Sequence, residues 1–427
     1  LSTFSIRHAR SFFIFLAFSA GFARAQDSFP LHLDPEVRAL IDEALARNPE
    51  LAASRERTAA ALSRTGQAAA LADPMVSIGY EKGDAWLPGR GADTGPRIEA
   101  SQELPFSGKR RLMREAGARD ADLTRHATEA LTLSVTYAVR KALADLLLAR
   151  ENIAIIRDQR GATSDIEELT RARYSAGLAT QLDVLRAQAE VARFDQMRLH
   201  EEGLLASATA ELNRLRDRPA GEAVGVGVKL SDLVGRVLEV PSLQDVLARA
   251  QGDTPETRAA MTMVERGALA VDLARLNLKP DFVVSSAYAF RGSLPDRWSV
   301  NLGVILPAYR GSKQRLAIAE AEAELRSNRA EQQAASLRAR AAIEKAYADL
   351  SAAVQEARTI ERQVLVIDAL AVESALAGFR SGQTPFIAVL EAHTVLYQDR
   401  RQHADLLFHI LWHSALLDAF GMERQTS

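Results

Sequence analysis

Two hydrophobic rhythms alternate along this chain of 427 residues. The first has a period of two. Val76, Ile78 and Tyr80 oppose Ser77, Gly79 and Glu81. Between Arg97 and Leu104, Ile98, Ala100 and Leu104 oppose Arg97, Glu99, Ser101 and Glu103. Between Trp298 and Leu306 the odd-even split places Trp298, Val300, Leu302, Val304 and Leu306 against Ser299, Asn301 and Gly303. A fourth run, DFVVSSAYAF from Asp281 to Phe290, follows Pro280 as the first follows Pro74. Alternation with one apolar face predicts four half-buried strands.

The second rhythm has a 3–4 spacing and fills most of the chain. Leu131, Val135, Ala138, Ala142, Leu146, Ala149, Ile153 and Ile156 keep it, and no proline interrupts the run from about Lys109 to Tyr174. At about 1.5 Å per residue such a helix is roughly 100 Å long. Positions 182, 185, 189, 192, 196, 199, 203, 206 and 210 then read Leu, Leu, Ala, Ala, Gln, Leu, Gly, Ala, Ala. That is a heptad seam of small residues, which lets helices approach closely. Long helices recur from about Ser312 to Leu376 and from Pro385 to Phe420.

The chain is written twice. ARYSAGLATQLDVLRAQ (Ala172 to Gln188) aligns without a gap on AGFRSGQTPFIAVLEAH (Ala377 to His393), 205 residues later. LARNPEL at Leu45 is echoed by LARAQGDTPET at Leu247, and Leu104-Pro105 by Leu306-Pro307. The expected organisation is a leader over 1–25, a first repeat over 26–217, a linker over 218–240 and a second repeat over 241–427. In each repeat a glycine, Gly177 or Gly382, ends a long helix, Thr180 or Thr384 caps the next, and Pro385 sits in a first turn. Each motif is therefore the tip of a helical hairpin, with Tyr174 and Phe379 beside the glycines.

Composition narrows the setting. Arg7 and Arg10 precede the apolar run SFFIFLAFSAGFA, and ARA ends at Ala25, the pattern of a cleaved export signal. Past it stand 50 basic and 55 acidic residues, a net charge of −5 that gives no case for nucleic acid. The chain has no cysteine, hence no disulfide, no thiol nucleophile and no thiol for a lipid anchor. Its best apolar stretch after the leader, LLFHILWHSALL from Leu406, is 12 residues long and carries two histidines, too short to span a bilayer. Strands that alternate over about 9–11 residues also fit a transmembrane barrel, with Tyr80, Tyr288, Phe290 and Trp298 as an interfacial girdle. On alternation alone a soluble sheet is the first reading; if the strands cross a membrane, four cannot close a barrel whose smallest form has about eight, so two copies or three are required. The Gly-, Pro- and Asp-rich segments Lys82 to Gly95 and Arg291 to Arg297 are the expected external loops.

Chemistry is sparse. FSGKR lacks the first glycine of a phosphate loop, which falls on Glu103. His409 and His413 have metal-ligand spacing on a helix, but no acidic third ligand accompanies them, and packed or solvated histidines are the expectation. Lys109, Arg110, Arg111 and Arg114 crowd a helix start, where the dipole disfavours cations.

The paired tips, SQELPFSGKRR before the first long helix and ILPAYRGSK before the second, resemble the TolC-like outer-membrane efflux channels over essentially the whole mature chain. SQELPFSGKRR is most similar to the CzcC- and CusC-like branch that serves heavy-metal exporters. The resemblance implies a mainly α chain with a small β part. As a homotrimer it would form a 12-stranded outer-membrane barrel continued by a coiled-coil tunnel through the periplasm. It also implies a passive, non-enzymatic duct without cofactor or bound metal, set in outer-membrane lipid and docked to a periplasmic adaptor and an inner-membrane pump of the RND type. The family's aperture is lined by acidic residues. Glu391 matches one such position, the other falls on Ala388, and Asp183 is its counterpart in the first repeat. Tyr174, Gly177, Phe379 and Gly382 then close the tip. A periplasmic coiled-coil adaptor, or an outer-membrane channel for drugs or secreted polypeptides, are the rival readings.

Overall fold

The computed structural model describes residues 34–82, 94–235, 240, 242–250, 254–291 and 295–421. The leader lies outside these residues, as do the centres of both expected external loops.

Two short helices, α1 (Pro35–Arg47) and α2 (Pro49–Ala68), lead into β1 (Met75–Lys82) and β2 (Thr94–Leu104). Then come α3 (Lys109–Ser175) and α4 (Gln181–Leu215). The connecting segment holds α5 (Leu230–Val234) and α6 (Leu243–Ala250). The second half continues with α7 (Pro255–Leu276), β3 (Asp281–Ala289), β4 (Arg297–Ile305), α8 (Arg315–Thr359), α9 (Leu365–Arg380) and α10 (Phe386–Gly421). At 67 residues, α3 is about 100 Å long. It forms one antiparallel hairpin with α4, and α8, α9 and α10 form a second. In the row so built, α4 packs on α3, α3 on α10, and α10 on α9.

The four predicted strands pair as one antiparallel sheet in the order β1-β2-β3-β4. Register places Ile78, Ile98, Tyr288 and Trp298 in one row across all four strands, and Val76, Ala100, Ser286 and Val300 in the next. The other face carries Ser77, Glu99, Ala287 and Ser299. Burial is inverted relative to a soluble sheet. On β3, Ser285, Ala287 and Ala289 are buried while Val284 and Tyr288 are exposed. The apolar face is bare, with Ile78 at 78% and Leu302 at 70% exposure. Tyr80, Tyr288, Phe290 and Trp298 gather at the end of the sheet away from the helices. Both β1 and β4 are open edges with unpaired backbone groups.

A basic helix start is explained at the sheet's other end. Asp281 opens β3 and accepts the Phe106 backbone N–H at 2.6 Å and both contacts of Lys109 Nζ, at 2.9 and 2.8 Å. Arg110 donates to the Ala69 carbonyl past the end of α2 at 2.8 Å, and Arg111 pairs with Glu115 one turn on. Lys109 and Arg110 therefore latch strand and neighbouring helix, while Arg111 pairs along its own helix.

The main core lies midway along the hairpins, where α1, α3, the end of α4, residues 224–234, α8 and the end of α10 meet. Val139, Ala142, Leu146 and Ala149 of α3 are buried, as are Ile343, Ala346, Leu350 and Ala353 of α8, each 204 residues later. The tip glycines are 205 apart. Between core and tip the second hairpin contains a π-helical turn, Ile360–Val364, which absorbs the one extra residue without breaking the helix. Ion pairs cross the helix row. Arg140 of α3 bonds Asp418 of α10 at 2.9 Å, both side chains buried, and Arg401 of α10 bonds the fully buried Glu201 of α4 at 2.9 Å.

Candidate functional site: the paired hairpin tips

Each tip ends its helix by the same hydrogen bonds. At the first, Gly177 N–H donates to the Tyr174 carbonyl (3.0 Å) and Leu178 N–H to that of Arg173 (2.8 Å). At the second, Gly382 N–H donates to Phe379 (3.1 Å) and Gln383 N–H to Gly378 (2.8 Å). This pairing is a Schellman motif, and it requires a left-handed residue at its pivot. Gly177 and Gly382 have φ of 73° and 80°. The doubled sequence is thus a doubled helix stop.

The helix starts beyond the two stops are built differently. Thr180 and Asp183 form a reciprocal capping box: Asp183 N–H donates to Thr180 Oγ1 at 3.3 Å, and Thr180 N–H to Asp183 Oδ2 at 3.0 Å. The Asp183 carboxylate is therefore committed to starting α4. Its counterpart 205 residues on is Ala388, so the second tip has no such box at that position.

The aromatic residues also part company. Tyr174 is 47% exposed, whereas Phe379 is 3% exposed and packs with Ile166, Ala187, Phe386 and Val389 of its own chain. Both stand beside their glycines, but only Tyr174 is on the surface of the chain. Phe379 turns inward because α9 presents it to the neighbouring hairpin. Its ring meets Phe386 edge-on at 6.1 Å, and the Arg173 guanidinium lies 4.7 Å from its centroid. Arg173 Nη1 also donates to the Phe379 carbonyl at 2.6 Å. A cation at the end of α3 thus caps the carbonyl end of α9, where the helix dipole is negative.

Above the tips, α10 buries Phe386, Val389, His393, Leu396 and Tyr397 on one face. Glu391 lies on the opposite, exposed face with Ile387 and Val395. His393 is held by Gln159, whose Nε2 donates to its carbonyl at 2.9 Å and approaches Nδ1 at 3.1 Å. Its Nε2 is buried and unpartnered, and burial, then Arg400, pushes the imidazole below its usual pKa. Sequence reading missed Arg173 and His393. The histidine had a signal, since 386, 389, 393 and 396 keep a helical spacing. Arg173 had none, because the contact spans 206 residues.

Among the described residues no group of three His, Cys, Asp or Glu side chains lies close enough to hold a metal ion. His409 and His413 stack on one another and on Trp412 instead. No described helix is long and apolar enough to cross a membrane.

Residues 40–216 match the family described as outer membrane efflux protein. No curated protein matches the chain. Among solved structures it superposes on the outer-membrane channel OprN with a TM-score of 0.78 at 19% identity, over 92% of this chain and 91% of that one. VceC, an outer membrane protein from Vibrio cholerae, gives 0.77 at 19% identity, over 92% and 98%. CusC, a transmembrane channel, gives 0.78 at 18% identity, over 91% and 92%. At these identities the likeness is one of fold.

Proposed function

With residues 40–216 carrying the sequence of an outer membrane efflux protein, we propose that this chain is the outer-membrane exit duct of a tripartite efflux assembly. It works as a passive homotrimer. The observation that carries the reading is the inverted, open-edged sheet at one end of the helical hairpins. In hydrocarbon every backbone N–H and C=O must be paired within protein, so a four-stranded sheet with two free edges needs neighbours. Three copies supply twelve strands, apolar outward and polar inward. The equal burial spacing in α3 and α8 supports two repeats that build one tunnel wall together.

The tips form the periplasmic end. Tyr174, Gly177, Phe379 and Gly382 shape the closed tip, and Glu391 lines the bore above it, three carboxylates to a ring. Asp183 sits at the same mouth, held by its capping box. The duct receives cargo from an inner-membrane pump of the RND type through a periplasmic adaptor. Likeness of SQELPFSGKRR to the heavy-metal branch favours metal cations as that cargo. A single-hairpin adaptor has no use for a sheet with its apolar face outward.

The test is conductance. Glu391→Gln in planar bilayers is expected to lower cation preference and weaken block by divalent ions, since a carboxylate ring in a confined throat attracts both. Unchanged selectivity together with unchanged block would take Glu391 out of the bore.

A further inference from the structure

A cavity of about 410 Å³ opens between α3, α4 and α10, beside the Arg401–Glu201 ion pair. We propose that it binds a small protonated amine that bears a carbonyl oxygen and an apolar body. The site lies within one chain and does not depend on the trimer.

Burial separates a floor from a mouth. Asn152 and Glu201 are 3% and 1% exposed, and Ala149 of α3 and Ala208 of α4 are buried with them. Methyl groups at those two positions leave room that larger core side chains would fill. Leu148 and Leu204 supply an apolar wall nearer the mouth, where Leu204 is half-exposed. The space is in the range of small-molecule sites, about 300–1,000 Å³.

Charge sets the sign of the ligand. Four carboxylates line the cavity against one guanidinium. Three of them are answered: Glu201 by Arg401 at 2.9 Å, Asp145 by Lys141 at 2.8 Å and Glu211 by Arg214 at 2.8 Å. Asp405 is the fourth, and among the described residues it forms neither an ion pair nor a hydrogen bond. Arg401 lies one turn away on the same helix, but its Nη2 is spent on Glu201. Burial pushes the Asp405 carboxyl above its usual range, and Arg401 and His409 draw it back only in part. A cation seated beside it would offset that cost, whereas an anion would meet four carboxylates.

The floor shows what the cation must carry. The Asn152 amide is oriented by its Nδ2, which donates to Glu201 Oε2 at 3.4 Å. Its Oδ1 is then a buried acceptor without a partner, and Arg401 Nε is a buried donor without one. Buried polar groups are normally paired, so the pair marks a missing donor and a missing acceptor. An ammonium answers Asn152 and Asp405, and a carbonyl oxygen close to it answers Arg401. A small α-amino amide with an apolar side chain holds all three features. A bare metal ion does not fit, since no three His, Asp or Glu side chains among the described residues lie close enough to hold one.

The probe is L-leucine 7-amido-4-methylcoumarin, whose α-amine, with a pKa of about 7.7–8.0, is mostly charged at pH 7. The full chain in detergent is dialysed to equilibrium against it, with empty micelles as the blank. Saturable binding of one probe per chain is expected. The N-acetyl derivative, which loses the charge and keeps the rest, is expected to bind about tenfold more weakly or worse. Asp405→Asn is expected to weaken the amine about tenfold and to erase most of the difference between the two probes. Glu202→Gln, exposed on α4 outside the cavity, keeps both affinities. If Asp405→Asn does not fold, the two probes on the wild type decide alone. Uptake that never saturates, equal binding of both probes by the wild type, or an Asp405→Asn chain that binds as the wild type does would each overturn the site. None of these outcomes touches the conductance test of Glu391, so the site and the duct stand or fall separately.

Discussion

At the scale of single residues, the second hairpin is held to the first by contacts that carry charge. Arg173 contributes a charge-assisted bond to the Phe379 carbonyl and a guanidinium beside the Phe379 ring. Loss of such a bond costs about 1.5–3 kcal/mol. Arg173→Ala is expected to raise bilayer conductance by loosening the tip, and Arg173→Lys to do so less, since a lysine keeps the charge but not the planar fork. Phe379→Ala removes buried packing worth about 3–5 kcal/mol and is expected to lower thermal stability, while Tyr174→Ala, on the surface, leaves it nearly unchanged. His393 gives the tip region a pH dependence of definite sign. Its imidazole is buried neutral, so the unfolded chain takes a proton near the ordinary value of about 6.5 before the folded one does. Its stabilising contribution is full above that value and is lost as pH falls through the lowered folded pKa. Asp418 acts the other way. Burial, outweighing Arg140, pushes its carboxyl up to about 6, so its contribution is greatest at low pH and is lost as pH rises through about 6. The wild-type stability profile minus that of His393→Gln isolates the histidine. It should fall on acidification below about 6.5, and a flat difference would mean a solvated imidazole.

At the scale of elements, much was legible because local rules and tertiary packing agree. Period-two alternation marked three strands, the run after Pro280 marked the fourth, and the absence of proline over Lys109 to Tyr174 marked a helix that the structure runs to Ser175. Glycine followed by a capping threonine marked the tips because only a left-handed pivot closes a Schellman motif. Three features were not legible. Alternation alone does not say which face is covered, and here the apolar face is the more exposed one. The inward turn of Phe379 depends on which hairpin lies beside α9, which no local spacing encodes. The π-helical turn leaves only a one-residue difference between offsets of 204 and 205, hidden in a gapless local match. The strand faces give a paired prediction. Val300→Lys on the outward face is expected to cost about 2–4 kcal/mol at mid-membrane depth. Ser299→Lys, one residue away on the inward face, is expected to be tolerated. The fraction of each variant recovered as a heat-modifiable oligomer in outer-membrane extracts measures the contrast. Equal recovery would mean that the sheet is not set in lipid.

At the scale of the whole molecule, one protomer is an incomplete object. Its sheet has a bare apolar face and an unpaired strand at each edge. In the trimer proposed above, each unfinished surface is finished by another chain, which makes the ring the unit that selection and damage act upon. That has a genetic consequence. Successive backbone N–H groups of a strand point to opposite neighbours, so Ser77→Pro with Ile78→Pro removes one donor from each side of β1. A chain so altered still has intact helices with which to join its siblings, but it leaves a gap in the barrel. Co-expressed with the wild type in equal amounts and mixed at random, it leaves only about one-eighth of rings with three sound copies. The altered allele is therefore expected to be dominant, lowering efflux-dependent resistance well below the half expected of chains that act singly. A merodiploid strain with half the wild-type resistance would show that each chain works alone.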